Sequence, residues 1–543
     1  MAAIASSHYR RFEHLSSALH SGRSQIGRQN SILERIELSP GAASSSGAHM
    51  APRGDWDSSF APKPLRQTMA RCRAAIATRD VTPPPGIYNR NWGAAPRDTS
   101  TGNHGELRAT ALAFAALEGE HEPLIIVNVD LGWLLAEETA ELCAAISAAC
   151  GVTVESGRLL VQMTHTHAGP SLTRPFTDPE CPGGQIALTW WAELKRAAAA
   201  VASEAAGSLE PVWLSSALGS CNLAQQQEFF DRGVNDWVST YNPDYRGSVD
   251  DTLVALRLMR DSGDVVATLC NYGCHPQTLG PANSLVSADW PGTTRVLLEK
   301  EFGGTAMFLL GACGDTGPIE QKQADILVTE RLGRKVGYAT ASALETLHKP
   351  ATELRYSGPI VSGAVIALWP PHPMPEDVIR RCMAVRSARH RLQPALVELG
   401  TVDQARAALS AAEERLRVAQ TEAETKLQTA LCEQARRNLR KVQDWKSGAV
   451  EISVYVWQIG EIFFVACPGE PYAYLQTEIR RRVSESVHVV VMCCTNGSLS
   501  QGYLLPTPAP APNSYQHRIA VVGEGGLELV VDTAVSQINK WWY

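Results

Sequence analysis

Two histidines one residue apart, His165 and His167, close the apolar run RLLVQMTHTH (158–167). Neutral imidazole binds Zn²⁺ and moves protons near neutral pH, so a histidine pair at a strand end suits either task. If the strand continues through them the rings face opposite ways; a bend at Ala168-Gly169-Pro170 lets them converge. His275 ends a second run, VVATLCNYGCH (265–275), and Asp315 a third, TAMFLLGACGD (305–315). Separate strand ends that each deliver an imidazole or a carboxylate form a donor set Zn²⁺ accepts, one ion per chain, with a position left open for water. Asp130, Asp289 and Asp315 are candidates to orient the histidines. Carboxylates at such places equally cap turns and helices.

These residues need a frame. The runs LIIVNVDLG (124–132), IFFVACPGE (462–470) and HVVVMCCTNG (488–497) share the design of the first three: a β-branched or aromatic stretch consistent with a fully buried strand, ending in glycine or a polar residue. Helical stretches at 136–150 and 190–207 lie between runs. The pattern predicts an α/β (or α+β) layered domain with mostly buried strands, with polar residues gathered at their carboxyl ends. Residues 374–447 differ. Ala405, Leu409, Ala412, Leu416, Ala419 and Ala423 at helical spacing, with an earlier helix over about 376–398, predict a long helical hairpin inserted into the main domain. It carries no chemically useful cluster, so its apolar stripe reads as packing surface within the chain or as a homo-oligomer seam.

Of the 543 residues, 44% are hydrophobic and 19% charged, the profile of a globular protein. A net charge of −7 without a basic stripe leaves no footprint for nucleic acid. The thirteen cysteines are scattered without CxxC spacing and read as reduced. No run of eighteen apolar residues and no secretory start is present, which predicts a cytoplasmic chain without integral membrane association. Residues 1–65 read as a disordered leader before a catalytic domain over 66–543. Eleven serines and five arginines against three acids in the first fifty residues are also the composition of a transit peptide.

THTHAGP resembles a segment of the neutral ceramidase family. DVTPP (80–84), GNHGELRATAL (102–112), NVDLG (128–132), SADWPG (287–292), GACGDTGP (311–318), CPGE (467–470) and GYLLPTP (502–508) follow in that family's order. The resemblance spans about residues 75–535. It implies His165, His275, Glu470 and Tyr503 as zinc ligands, with His167 a catalytic partner. Tyr515, twelve residues after Tyr503, matches a second functional tyrosine. His104, in GNHGELRA, is a pocket candidate by motif order alone. The chain also departs from the family. Gly317 stands where ceramidases carry a catalytic serine, and Thr316 lies one residue early. The segment 221–229 shows no match for the substrate-facing arginine, and the chain ends at Tyr543 without the family's C-terminal immunoglobulin-like domain.

The function expected is zinc-dependent hydrolysis of an amide, ester or carbamate bond in a small acyl substrate by metal-activated water, with His167 moving the proton and Tyr515 stabilising the oxyanion. A metal-dependent phosphoesterase and a catalytically silent, metal-stabilised binding protein are the competing readings.

Overall fold

A computed structural model describes residues 62–543, except 120–121, 362, 446–447, 449 and 498–500. The expected leader lies outside the described residues as far as residue 61; at its end, Leu65–Arg66 pairs antiparallel with Thr352–Leu354.

The six apolar runs become six strands, and these form three parallel pairs. Leu124–Val129 pairs with Leu159–Met163, Val265–Tyr272 with Thr305–Leu310, and Ile462–Ala466 with His488–Met492. Parallel neighbours need a crossover, and a helix supplies each one. These are α1 (Ala136–Cys150), α4 (Trp290–Phe302) and α9 (Tyr474–Arg482). The remaining helices are α2 (Thr173–Thr177), α3 (Gly184–Gly207), α5 (Ile326–Leu344), α6 (Glu376–Arg381), α7 (Val402–Arg417), α8 (Glu422–Asp444), α10 (Tyr515–Ile519) and α11 (Gly526–Trp542).

The first two parallel pairs form opposite edges of one eight-stranded sheet, joined through the antiparallel strands Thr252–Met259, Glu210–Ser220, Thr68–Asp80 and Arg108–Ala115. The third pair belongs to a four-stranded sheet with Ile452–Ile459 and Val385–Leu392. Alternation along the strands builds the layers. In Arg108–Ala115, Ala109, Ala111 and Ala113 face α1 and α3, while Leu112 and Phe114 face the second sheet, where Phe114 meets Phe464 at 6.0 Å. Helices α4 and α5 cover the other half of the large sheet's outer face, and α9 and α11 cover the outer face of the small one. The layers therefore run helix, sheet, sheet, helix.

The 374–447 segment departs from expectation. Only Glu376–Arg381 of its first half is helical, and Val385–Leu392 is an edge strand in eight-residue register with Ile452–Ile459. The open edge of Ile452–Ile459 needs backbone partners, and that requirement overrides the helical composition of VRSARHRL. The second half forms two packed helices, α7 and α8, each started by a capping box: Thr401 with Gln404, and Thr421 with Glu424. Among the described residues, no helix is long and apolar enough to cross a membrane.

Candidate metal centre

The site lies where the parallel strands end. The eight-stranded sheet curls until its two edges touch at one end, where Gln162 Nε2 donates to Leu310 O at 2.9 Å and to Cys493 O at 2.9 Å. Asn271, on the neighbouring strand, donates to Leu309 O at 2.9 Å and to Val491 O at 2.7 Å. These two buried amides tie the carboxyl ends of all three parallel pairs together, so the loops that follow converge.

His165 comes two residues after its strand with φ of 65°, a left-handed conformation unusual for a residue with a Cβ. The bend that turns His165 and His167 to one side is therefore at His165 itself rather than at 168–170. The ring centroids stand 4.9 Å apart at 84°. His165 Nδ1 donates to Gly132 O at 2.7 Å, and a Cβ on Gly132 would lie 2.9 Å from Thr166 O, so glycine is what lets the two loops approach. His275 Nδ1 donates to Cys313 O at 2.6 Å and also faces Thr316 O at 3.1 Å. With Nδ1 of both rings given to backbone carbonyls, Nε2 is the nitrogen left over, and both Nε2 atoms face Glu470 Oε2, at 3.4 Å from His165 and 3.1 Å from His275. Glu470 and Tyr503 are register partners in a short parallel ladder. Tyr515 lies beyond, its ring 6.0 Å from that of Tyr503 and 37% exposed.

The ligand atoms of His165, His167 and His275 all lie within 4.8 Å of one another. His167 is held by stacking rather than by hydrogen bonds: Trp92 stands 5.0 Å and Trp133 5.3 Å from its ring, and both ring nitrogens are buried without a partner. Burial, followed by the neighbouring His165 and His275, pushes its pKa well below the ordinary value, so the ring is neutral. Burial raises the Glu470 carboxyl, but the imidazoles of His165 and His275 outweigh it and hold the group well below the usual carboxylate range. Burial lowers His165, while the Cys494 thiol and Glu470 outweigh it and lift it to about 10. A small pocket of about 20 Å³ lined by Trp133, His165, Glu470 and Cys494 lies beside the cluster.

A metal fits this donor set. His165 Nε2 is buried with no hydrogen-bond partner, like both nitrogens of His167. The 3.1 and 3.4 Å separations are those of ligand atoms each about 2 Å from one tetrahedral ion.

The carboxylates expected to orient the histidines do other work, because backbone carbonyls already occupy both Nδ1 positions. Asp130 forms a buried bidentate pair with Arg295, at 2.9 and 2.6 Å, and accepts from Arg108 N. Asp289 caps α4 through Trp290 N and accepts from Leu279 N. Asp315 accepts from Ala473 N at 2.8 Å and so anchors the loop carrying Glu470; burial lifts its carboxyl to about 6. Thr316 acts through its carbonyl, its hydroxyl donating instead to Gly273 O. His104 contacts Ser287 and Glu330, away from the cluster. Trp92, Trp133 and the orienting carbonyls had no sequence signal, since neither an isolated tryptophan nor a carbonyl has a pattern.

Gly317 opens onto a cluster of carboxamides. Gln277 Nε2 donates to Gln227 Oε1 at 2.5 Å and to Gln321 Oε1 at 2.8 Å. A Cβ at 317 would stand 2.8 Å from Gln277 Nε2 and 3.0 Å from Gln227 Oε1.

Residues 75–318, which hold all three histidines, match the family described as neutral/alkaline non-lysosomal ceramidase, N-terminal. Over these residues the chain is similar to the neutral ceramidases. Neutral ceramidase A of Dictyostelium discoideum is 24% identical over 247 residues, covering 41% of this chain and 31% of that protein; the chain thus matches about a third of the length of that curated relative. The crystal structure of neutral ceramidase from Pseudomonas aeruginosa shares the fold, with a TM-score of 0.57 at 16% identity over 87% of this chain and 75% of that one. A ceramidase structure described as complexed with C2 gives 0.56, 16%, 87% and 76%. Glu470, Tyr503 and Tyr515 lie beyond the matched residues.

Proposed function

We propose that the chain is a zinc-dependent hydrolase that cleaves an amide bond, or a related ester or carbamate, in a small acyl substrate. The observation that carries the proposal is the meeting of His165 and His275 Nε2 on one Glu470 oxygen, with the unpartnered, neutral His167 beside them. Zn²⁺ held by His165, His275, Glu470 and Tyr503 would polarise a carbonyl and lower the pKa of water to about 7. The carbonyls of Gly132 and Cys313 fix the ligand tautomers, so no reorientation accompanies binding. His167, with both ring nitrogens buried and unpartnered, has a free lone pair and moves a proton to the leaving nitrogen or oxygen. Tyr515, at the rim, donates its hydroxyl to the oxygen on which negative charge develops. The carboxamides around Gly317 fill the space a serine side chain would use, which favours water as the nucleophile.

Elemental analysis of the purified chain beside His165→Ala and His275→Ala, with hydrolysis assays on short N-acyl amides, aryl esters and a ceramide, tests this. About one Zn²⁺ per chain, lost together with turnover in both variants, is the expected result. Metal retained in both variants, or wild-type protein with metal but no turnover on any acyl substrate, overturns it. Turnover of the ceramide alone would assign the substrate to a sphingolipid.

A further inference from the structure

Helix α8 reads from sequence as packing surface, yet one of its faces touches the rim of the site. Arg437 Nη1 donates to the Tyr515 hydroxyl at 3.1 Å. One turn later on the same face, Lys441 Nζ donates to Arg518 O at 2.8 Å and to Ala520 O at 3.1 Å. Tyr515 begins α10, and residues 518 and 520 lie at its end. A helix of five residues does not hold itself in place. Two cations of α8 grip it, one at each end. Arg437 is fixed in turn by Glu433, whose Oε1 accepts from Nε at 3.0 Å. The Glu433 side chain lies against Gly93, next to the Trp92 that stacks on His167. Arg437 thus belongs to a chain of contacts running around the cluster.

We propose that Arg437 is a positioning residue of the site: its guanidinium occupies the acceptor side of the Tyr515 hydroxyl, so that the hydroxyl proton is free for the substrate oxygen, and α8 becomes a working wall of the pocket. This rests on the reading of Tyr515 given above. An oxygen that accepts from a cation is the better donor, because the guanidinium stabilises the charge that develops on it. The interaction strengthens as the substrate oxygen becomes negative, so its loss falls on kcat rather than on KM.

The test uses the zinc-loaded full chain, on whichever short amide or aryl ester the wild type hydrolyses. Arg437→Ala is expected to lower kcat about tenfold or more with little change in KM, consistent with loss of a charged hydrogen bond. Arg437→Lys should recover part of that loss. Arg436→Ala, which removes the neighbouring cation that pairs with Glu413 on α7, should leave kcat unchanged and so controls for helix stability. Arg437→Ala combined with Tyr515→Phe should be no slower than Tyr515→Phe alone. Independent, multiplying losses, or full activity in Arg437→Ala, overturn the proposal. A second readout needs no turnover. With 3-fluorotyrosine at position 515, the ¹⁹F resonance should be single in the wild type and shifted or broadened in Arg437→Ala. If the wild type hydrolyses nothing, the function proposed above fails, and an unchanged resonance then overturns this inference separately.

Discussion

Gln162 and Leu310 stand on opposite edge strands of one sheet, and a side-chain hydrogen bond of 2.9 Å joins them. The same carboxamide holds Cys493 O, just past the second sheet's strand His488–Met492, and accepts from Asn128 Nδ2 at 3.2 Å. Replacing Gln162 with methionine keeps the volume and removes both bonds, at about 0.5–1.5 kcal/mol each, because Leu310 O still accepts from Cys493 N at 3.1 Å and Cys493 O from Thr495 Oγ1 at 3.0 Å. We expect urea midpoints to fall accordingly and zinc affinity to drop, although residue 162 touches no proposed ligand. Unaltered zinc affinity in a destabilised variant would show that the closure is not needed to assemble the site.

Asp289 carries the opposite expectation. Its contacts are Trp290 N and Leu279 N, and its backbone sits at φ 57°, ψ −157°. Asp289→Ala should cost about 1–2 kcal/mol as a lost cap while leaving zinc stoichiometry intact, and Asp289→Gly should cost less because the backbone strain is relieved. Thermal unfolding with elemental analysis decides; zinc lost from an otherwise folded Asp289→Ala would return this residue to the metal centre.

The pH dependence of stability has an identifiable source in Glu228. Burial outweighs its bonds to Tyr472 and Ser514 and lifts the carboxyl from an ordinary 4.5 to about 7. The folded chain keeps a proton that the unfolded chain releases. The contribution is therefore complete below about pH 4.5 and is lost as pH rises through 7, roughly 3 kcal/mol in all. Glu228→Gln should flatten that part of the curve, measured as wild type minus variant. Parallel curves would mean the carboxyl ionises normally.

Restoring a serine at position 317 should not restore serine chemistry. The new Cβ meets Gln277 and Gln227 at 2.8 and 3.0 Å, so the carboxamide cluster must shift, at about 1–3 kcal/mol. We expect Gly317→Ser to be less stable and no faster on amides. A covalent acyl-enzyme trapped at residue 317 and seen by mass spectrometry would reverse that conclusion.

The tryptophans beside His167 are expected to matter through geometry. Trp92→Ala or Trp133→Ala removes a ring contact of about 0.5–1.5 kcal/mol and frees the imidazole to rotate, so kcat should fall several-fold, with phenylalanine recovering part of it. Equal rates in all these variants would leave His167 oriented by something else.

The parts of the architecture legible in the sequence were those governed by burial. LIIVNV, LLVQM and TAMFLL are apolar on both faces because layers cover both, and a run of that kind ending in His or Asp marks where such strands stop. Val385–Leu392 was illegible because VRSARHRL is an edge strand with a half-exposed, cationic face, and its state is decided by the open edge of Ile452–Ile459. In the site, the histidines stood out by type, whereas Glu470, Tyr503 and Tyr515 were legible only through the family resemblance. The groups that aim the histidines, Gly132 O and Cys313 O, exist in every residue and carry no mark. Arg437 was hidden by its surroundings, one arginine among many on an amphipathic helix until α10 is seen beneath it.

The Glu470 carboxylate that joins His165 and His275 follows the nearer of them by 195 residues. During synthesis the three imidazoles must therefore emerge long before the carboxylate and phenol that complete the set. A nascent chain in that interval offers nitrogen donors without their counter-charge, and contacts of such sequence separation form slowly. On the proposed zinc reading, loading would be an event of the finished polypeptide, and a message truncated upstream of codon 470 would yield a product that retains the histidines but lacks the carboxylate and phenol.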